Sequence, residues 1–189
     1  MSMPKKANNK KMILIFAAVF ILPVILAKLA LENGWFNEAS TNKGILIQPA
    51  LDMSLIKSAN QDPKWKLVYV LPEFCDVSCE NALYSIKQVW SALGKESDRA
   101  EAVVISHEKS HQLQLQRISK ESHVRIINTD LSNIKQVFKN NDVDGIFIAD
   151  TLNNVILRYP LQQDAEQAVL HSRDILSDMR KVLKLSRIG

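Results

Sequence analysis

Cys75 and Cys79 are the two cysteines of the chain, four positions apart. Two sulfurs at this CxxxC spacing can close a disulfide, exchange with another disulfide, or hold a soft ion such as Cu(I) as two thiolates. They follow an apolar run, Trp65 to Leu71 (WKLVYVL), and open a stretch with helical spacing. Open α/β sheets place their sites at such strand ends. Cys75 falls just before or at the helix N-cap, where backbone N–H groups and the macrodipole favour a thiolate. Cys79 lies one turn further on, over the same face. Glu73 and Asp76 oppose strong thiolate stabilisation. Cys75 and Cys79 are therefore candidates for a catalytic redox pair and for Cu(I) ligands. The competing reading is a static bridge that pins the helix start, although so short a loop removes little chain entropy.

The histidines offer less. His107 and His111 are four apart, and a helix there presents both imidazoles on one face, but a polar stretch of this kind reads as solvated surface. His123 precedes a strand within possible reach of the cysteines, and His171 reads as surface. Asp142, Asp144 and Asp150 look like turn-forming carboxylates. The chain has no Gly-rich phosphate loop, no HExxH and no GxSxG, which removes the enzyme classes that depend on them.

The elements that position the cysteines follow from periodicity. Gly44 to Pro49 reads as an edge strand stopped by proline, and Trp65 to Leu71 as the first central strand. A helix runs from the cysteines to Leu93, with Ala82, Leu83, Ile86, Val89, Trp90 and Leu93 on one apolar face and Gly94 as its stop. Ala102 to Ile105 and Val124 to Ile127 are strands, separated by a polar stretch, Glu108 to Lys120, whose shape is open. Leu131 to Lys139 is a helix. Gly145 to Ala149 and Asn154 to Tyr159 form a hairpin about the turn Asp150 to Asn154. Asp164 to Leu185 is a terminal helix with Ala165, Ala168, Val169, Ile175, Leu176, Met179 and Leu183 as its buried stripe. The alternation predicts an α/β domain with a mixed sheet. An initial βαβ unit followed by a hairpin and a terminal helix is the thioredoxin-like arrangement.

Ahead of this domain, Met12 to Ala27 carries no charge, and after Lys28 the apolar run continues to Leu31. That is about 20 residues, roughly 30 Å as a helix, the thickness of a hydrocarbon core. Lys28 can snorkel to the interface, membrane helices tolerate a Pro23 kink, and Trp35 and Phe36 follow at headgroup depth. Lys5, Lys6, Lys10 and Lys11 precede the run, so the positive-inside rule keeps the N-terminus cytoplasmic and exports the rest. The expected order is a basic tail over 1–11, a transmembrane helix over 12–31, a linker and extended segment over 32–62, and the domain over 63–189. A cleaved signal peptide competes, but Lys28 would stand three positions before the best small-residue cut at Ala30. The expected location is a bacterial-type inner membrane, single-pass, with a periplasmic domain. The formal net charge is +4, and the lysine cluster supplies it, so no nucleic-acid footprint remains on the folded part.

Trp65 to Leu71 followed by Phe74-Cys75-x-x-x-Cys79 at a helix start, behind a membrane anchor, resembles the Sco (SenC) family of thioredoxin-fold proteins. The resemblance runs from about Trp65 to the C-terminus. Asp144-Gly-Ile-Phe-Ile-Ala-Asp150, a turn, and Val155-Ile-Leu-Arg158 resemble that family's strand, Asp-containing turn and return strand. The resemblance implies an anchored accessory protein in cytochrome oxidase assembly, using Cys75 and Cys79 to handle Cu(I) or to reduce target cysteines. Its partners would be a respiratory oxidase subunit or its assembly factors. The alternative is a non-catalytic, membrane-tethered binding scaffold with a structural disulfide. Three departures stand out. Asn140-Asn-Asp-Val-Asp144 lacks the family histidine that precedes the fourth strand, so no third metal ligand carries over. Asp76 and Glu80 stand where proline is usual after the site cysteines. The thioredoxin cis-proline before the same strand is absent too.

Overall fold

In the strand that leads to the cysteines, Leu67 and Val68 point to opposite faces and both are fully buried, which is what a continuous apolar run means in a sheet covered on both sides. The computed structural model describes residues 9–33, 42–56, 62–139 and 143–186. Lys5, Lys6, Trp35, Phe36 and Asn140 to Asp142 lie outside them. The strands are β1 (Ile45–Asp52), β2 (Trp65–Val70), β3 (Ala100–Ser106), β4 (Val124–Asn128), β5 (Ile146–Ala149) and β6 (Asn154–Tyr159). The helices are α1 (Asn9–Glu32), α2 (Val77–Ala92), α3 (Gln112–Ile118), α4 (Leu131–Phe138) and α5 (Ala165–Leu185), with single 3-10 segments at Ser54–Ile56 and Gly94–Arg99.

Two units separate at Thr41 and Asn42. The first contains α1, whose side chains Ile13, Leu14, Phe16, Phe20 and Val24 are exposed. It is long and apolar enough to cross a membrane and carries Pro23 within it.

The second unit is a six-stranded sheet in the order β1-β6-β5-β2-β3-β4. β2, β3 and β4 run parallel. β5 is antiparallel to β2, β6 to β5, and β1 to β6. This is the mixed, thioredoxin-like sheet that the element order predicts. On one face Leu67, Tyr69, Val104, Ile148 and Leu157 pack under α2 and α5. On the other, Val68, Val103, Phe147 and Val155 pack with Ile134, Val137 and Phe138 of α4 and with Met53 and Ile56. Pro49 sits in edge strand β1, where the register with β6 slips between Leu46 and Leu51. An edge is where a residue without an N–H is tolerated.

Two sequence expectations need correction: β1 runs through Pro49 to Asp52 rather than stopping at the proline, and the buried stripe of α5 is thinner at its start. The open stretch between β3 and β4 contains α3, nucleated by Leu115 and Ile118, which reach the α2/α5 core. On α5, Ala165 and Val169 are exposed, whereas Ala168 in the same turn is buried. The position between the apolar steps, Asp178, is fully buried.

Asp178 fastens β1 to the domain. Its Oδ2 accepts the N–H of Lys43 at 2.6 Å, the N–H of Gly44 at 3.0 Å and the Tyr159 hydroxyl at 2.8 Å. Its Oδ1 accepts Lys181 Nζ at 2.9 Å. The close approach needs a glycine, since a Cβ on Gly44 would stand 2.5 Å from the Tyr159 ring. Gly44→Ala is expected to destabilise the domain by about 1–3 kcal/mol through overpacking, read as a lower urea midpoint at unchanged slope. An unchanged midpoint would refute the close approach.

Candidate thiol–disulfide site

β2 ends at Val70, and the chain then turns toward α2 under three tethers to neighbouring segments. Leu71 N–H donates to Ile105 O at 2.9 Å. Leu71 O accepts the Ser110 hydroxyl at 2.7 Å, and Pro72 O accepts the His111 N–H at 2.9 Å. These bonds fix the strand end against the loop after β3. Cys75 arrives immediately before the N-cap of α2, and Cys79 lies within its first turn. The two sulfurs are joined as a disulfide, with the Cα atoms 5.2 Å apart. They differ in access: Cys75 is half-buried, whereas Cys79 is 1% exposed, packed in the α2/α5 core.

The cap is Asp76. Its Oδ1 accepts the Cys79 N–H at 3.0 Å and the Ser78 hydroxyl at 2.7 Å, and its Oδ2 accepts the Gln163 amide at 3.2 Å. The Ser78 hydroxyl first, then the Cys79 N–H and Gln163, hold this carboxyl below its usual range. The helix end thus spends an N–H on a carboxylate rather than on a sulfur. Once the bridge is reduced, Cys75 has an anion beside it, and its thiolate gains less from the helix than in an uncapped arrangement. Asp76→Ala is expected to raise the thiolate fraction of reduced Cys75, read as roughly 3–10-fold faster alkylation by iodoacetamide at pH 7, with about 1 kcal/mol of cap stability lost. Asp76→Ser, which keeps a cap without the charge, should show the faster alkylation without most of the stability loss. Alkylation at the original rate in both variants would refute the charge effect.

Behind the site lies Tyr69, fully buried. Burial first, then the charges of Asp144 and Asp76, push its phenol well above the ordinary value, so it stays neutral. The strand-end loop at Val143 to Gly145 and the segment Pro160 to Asp164 complete the surroundings. The latter is held by Asn81, whose amide donates to Gln162 O at 2.9 Å.

The structure brings Cys75 and Cys79 together and disperses the histidines. His107 and His111 do not share a helix face: His107 lies in the turn after β3, and His111 caps α3. His123 stacks on Trp90 at 4.7 Å between ring centroids, toward the far end of α2. His171 is half-buried rather than surface, edge-on to Tyr159 at 5.9 Å. Asp150 makes the hairpin turn as expected, its Oδ1 accepting the N–H groups of Leu152 and Asn154 at 2.8 Å. Among the described residues, no three His, Cys, Asp or Glu side chains converge on a metal position. Sequence reading missed Asp76 as the cap. The signal was present, because Asp directly ahead of the apolar-periodic residues is an N-cap pattern.

Among solved structures, the chain is similar to copper-bound ScoI of Bradyrhizobium japonicum, at 19% identity over 69% of this chain and 97% of that one, TM-score 0.42. Copper-bound ScoI of Arabidopsis thaliana gives 14% identity over 73% and 98%, TM-score 0.47. A putative thiol:disulfide interchange protein DsbE of Chlorobium tepidum gives 12% over 72% and 94%, TM-score 0.47. No curated protein matches. Residues 65–186 match a family described as transmembrane-like, thioredoxin-like, C-terminal domain. The match begins at the first residue of β2 and ends one residue beyond α5, taking in the strand, the cysteine pair and the hairpin, and the chain belongs to that family.

Proposed function

We propose that this chain is a membrane-tethered thiol–disulfide exchange protein in which Cys75 meets the target and Cys79 resolves the intermediate. The observation that carries the reading is the asymmetry of the pair: a half-buried sulfur ahead of the helix cap, bonded to a buried one in its first turn. In the reducing direction, the Cys75 thiolate attacks one sulfur of a target disulfide. The target's other sulfur leaves as a thiolate and takes a proton. The Cys79 thiolate then attacks the Cys75 sulfur, and the first target sulfur leaves. Two electrons pass to the target, and the Cys75–Cys79 bond is the product. A dithiol reductant on the same side of the membrane must restore the pair.

The finer reading is oxidase assembly, with the basic tail cytoplasmic and the domain periplasmic. Reduction of the paired cysteines of an oxidase subunit would free them to take copper. Cu(I) carried between Cys75 and Cys79 as cargo is the second form of this reading. It is supported by the soft two-sulfur donor set, with no third ligand supplied by the described residues.

The deciding experiment equilibrates the full chain in detergent with redox buffers of known potential. A two-electron couple above about −300 mV is expected for an exchanging pair, whereas a structural bridge lies below that value and would leave the protein a scaffold. Anaerobic Cu(I) competition on the reduced chain separates cargo from exchange. One Cu(I) held by the wild type and lost in both Cys75→Ser and Cys79→Ser supports copper handling, and no competitive binding removes it. In cells, either substitution should lower oxidase activity at normal protein level, and unchanged activity would sink the assembly role.

A further inference from the structure

Three exposed apolar side chains lie on the segments that carry or are bonded to the disulfide turn. Phe74, beside Cys75, is 81% exposed, and Val77, the first residue of α2, is 56% exposed. Leu113 of α3 is 64% exposed. It lies in the short stretch tied to the site by the His111–Pro72 bond and by the Gln114 amide, which donates to Glu80 Oε1 at 3.2 Å. None of the three packs into the core clusters, so their exposure is not an accident of filling a core.

The charged residues around them are mostly of one sign. The segments that frame Cys75 are 72–80, 107–114, 143–145 and 160–164. They contain the exposed carboxylates Glu73, Asp76, Glu80, Glu108 and Asp164, against Lys109, while Asp144 stands beside Arg158, whose guanidinium donates to the Asp144 carbonyl at 2.7 Å. The N-terminal lysines supply the chain's formal charge of +4, so the folded part is near balance and this rim is a local concentration of negative charge. Charge of one sign around a reactive centre selects partners of the other and speeds their encounter.

We infer that the surface around Cys75 selects cysteine-bearing polypeptide segments whose flanks combine Lys or Arg with a large apolar residue. The apolar flank meets Phe74 and Val77, the basic flank meets the carboxylates, and the segment's sulfur is delivered to Cys75. This deepens the exchange reading and rests on it.

The test uses the full chain in detergent, reduced and freed of reductant. It is mixed with peptides whose single cysteine is held as a mixed disulfide with thionitrobenzoate. Each reaction forms the Cys75–Cys79 bond and releases the peptide thiol and one thionitrobenzoate, which is followed by absorbance. Three peptides share one apolar residue and differ in flanks: basic, neutral or acidic. Rates with dithiothreitol correct for the peptides' own reactivity. At low salt the corrected rate for the basic peptide should exceed that for the acidic one by about tenfold, and the ratio should fall toward one in high salt. The triple variant Glu73→Gln, Glu80→Gln, Glu108→Gln should reduce the ratio several-fold. Phe74→Ala should slow the basic, apolar-flanked peptide several-fold relative to a basic peptide with glycine in place of the apolar residue.

Equal rates for all three peptides would overturn the inference while leaving exchange intact. A preference that survives the triple variant would overturn its assignment to these carboxylates. A dithiol that reacts with no peptide, yet is titrated by a small aromatic disulfide, would overturn both the inference and the exchange reading.

Discussion

Replacing Asp178 by alanine is expected to lower the stability of the domain by about 3–5 kcal/mol, the scale for removing one partner of a buried charged network. The Tyr159 hydroxyl and the N–H groups of Lys43 and Gly44 all donate to one carboxylate oxygen, and alanine leaves these donors without it. Asp178→Asn keeps an acceptor but not the charge, and should lose roughly half as much. Urea unfolding of the full chain in detergent measures both, and a midpoint unchanged in Asp178→Ala would refute the latch. The pH dependence has a definite sign. Burial alone would push the Asp178 carboxyl up, but the bonds from Gly44, Lys181, Tyr159 and Lys43 outweigh it and hold it below the ordinary value of 3.8. A depressed carboxyl contributes stability that is fully present above the unfolded value and is lost as the pH falls through the folded one. The loss therefore begins near pH 4 and completes at lower pH, and this component should vanish in Asp178→Asn. Between pH 5 and 8 Asp178 contributes no slope.

Cys79→Ser is expected to convert exchange into capture. The Cys75 thiolate can still attack a target disulfide, but the resolving sulfur is gone, and the mixed disulfide persists. Intramolecular attack by a well-placed group is worth a large effective concentration, so resolution should slow by about 10³-fold or more. The adduct appears as a band on a non-reducing gel that dithiothreitol removes. Cys75→Ser should give little adduct, because the remaining sulfur is 1% exposed. Comparable adducts from both variants would refute the division of roles. A buried serine hydroxyl adds a desolvation cost of about 1–3 kcal/mol, so Cys79→Ala serves as the parallel variant, and the trap should form in both.

Much of this could be read from local pattern. The apolar runs that became β2, β3 and β5 announced strands, and the three- and four-residue steps through Ala82, Ile86 and Val89 announced α2. Pro49 and the Asp150 turn marked an edge and a hairpin. These features depend on periodicity, propensity and turn chemistry, which reside in neighbouring residues. Cys75 and Cys79 were visible as a pair because their spacing alone brings them within one helical turn.

What the sequence could not supply depended on partners distant along the chain. Asp178 reads as a polar break in an amphipathic stripe, and only the return of Lys43 and Gly44, more than a hundred residues away, makes it an anchor. The three- or four-residue rule places a side chain on a face but does not say what that face meets. Ala165 and Val169 therefore read as core, yet both are exposed while Ala168 between them is buried. α3 was obscured because its core contribution comes from Leu115 and Ile118 on an otherwise polar segment. The unequal access of the two sulfurs was also beyond reach of the pattern. Equal chemistry four residues apart becomes unequal only when α5 and the sheet close over Cys79 and leave Cys75 ahead of the helix. Spacing determined that the sulfurs meet. Packing decided which of them stays accessible, because burial is set by all the elements around a side chain and not by its neighbours in the chain.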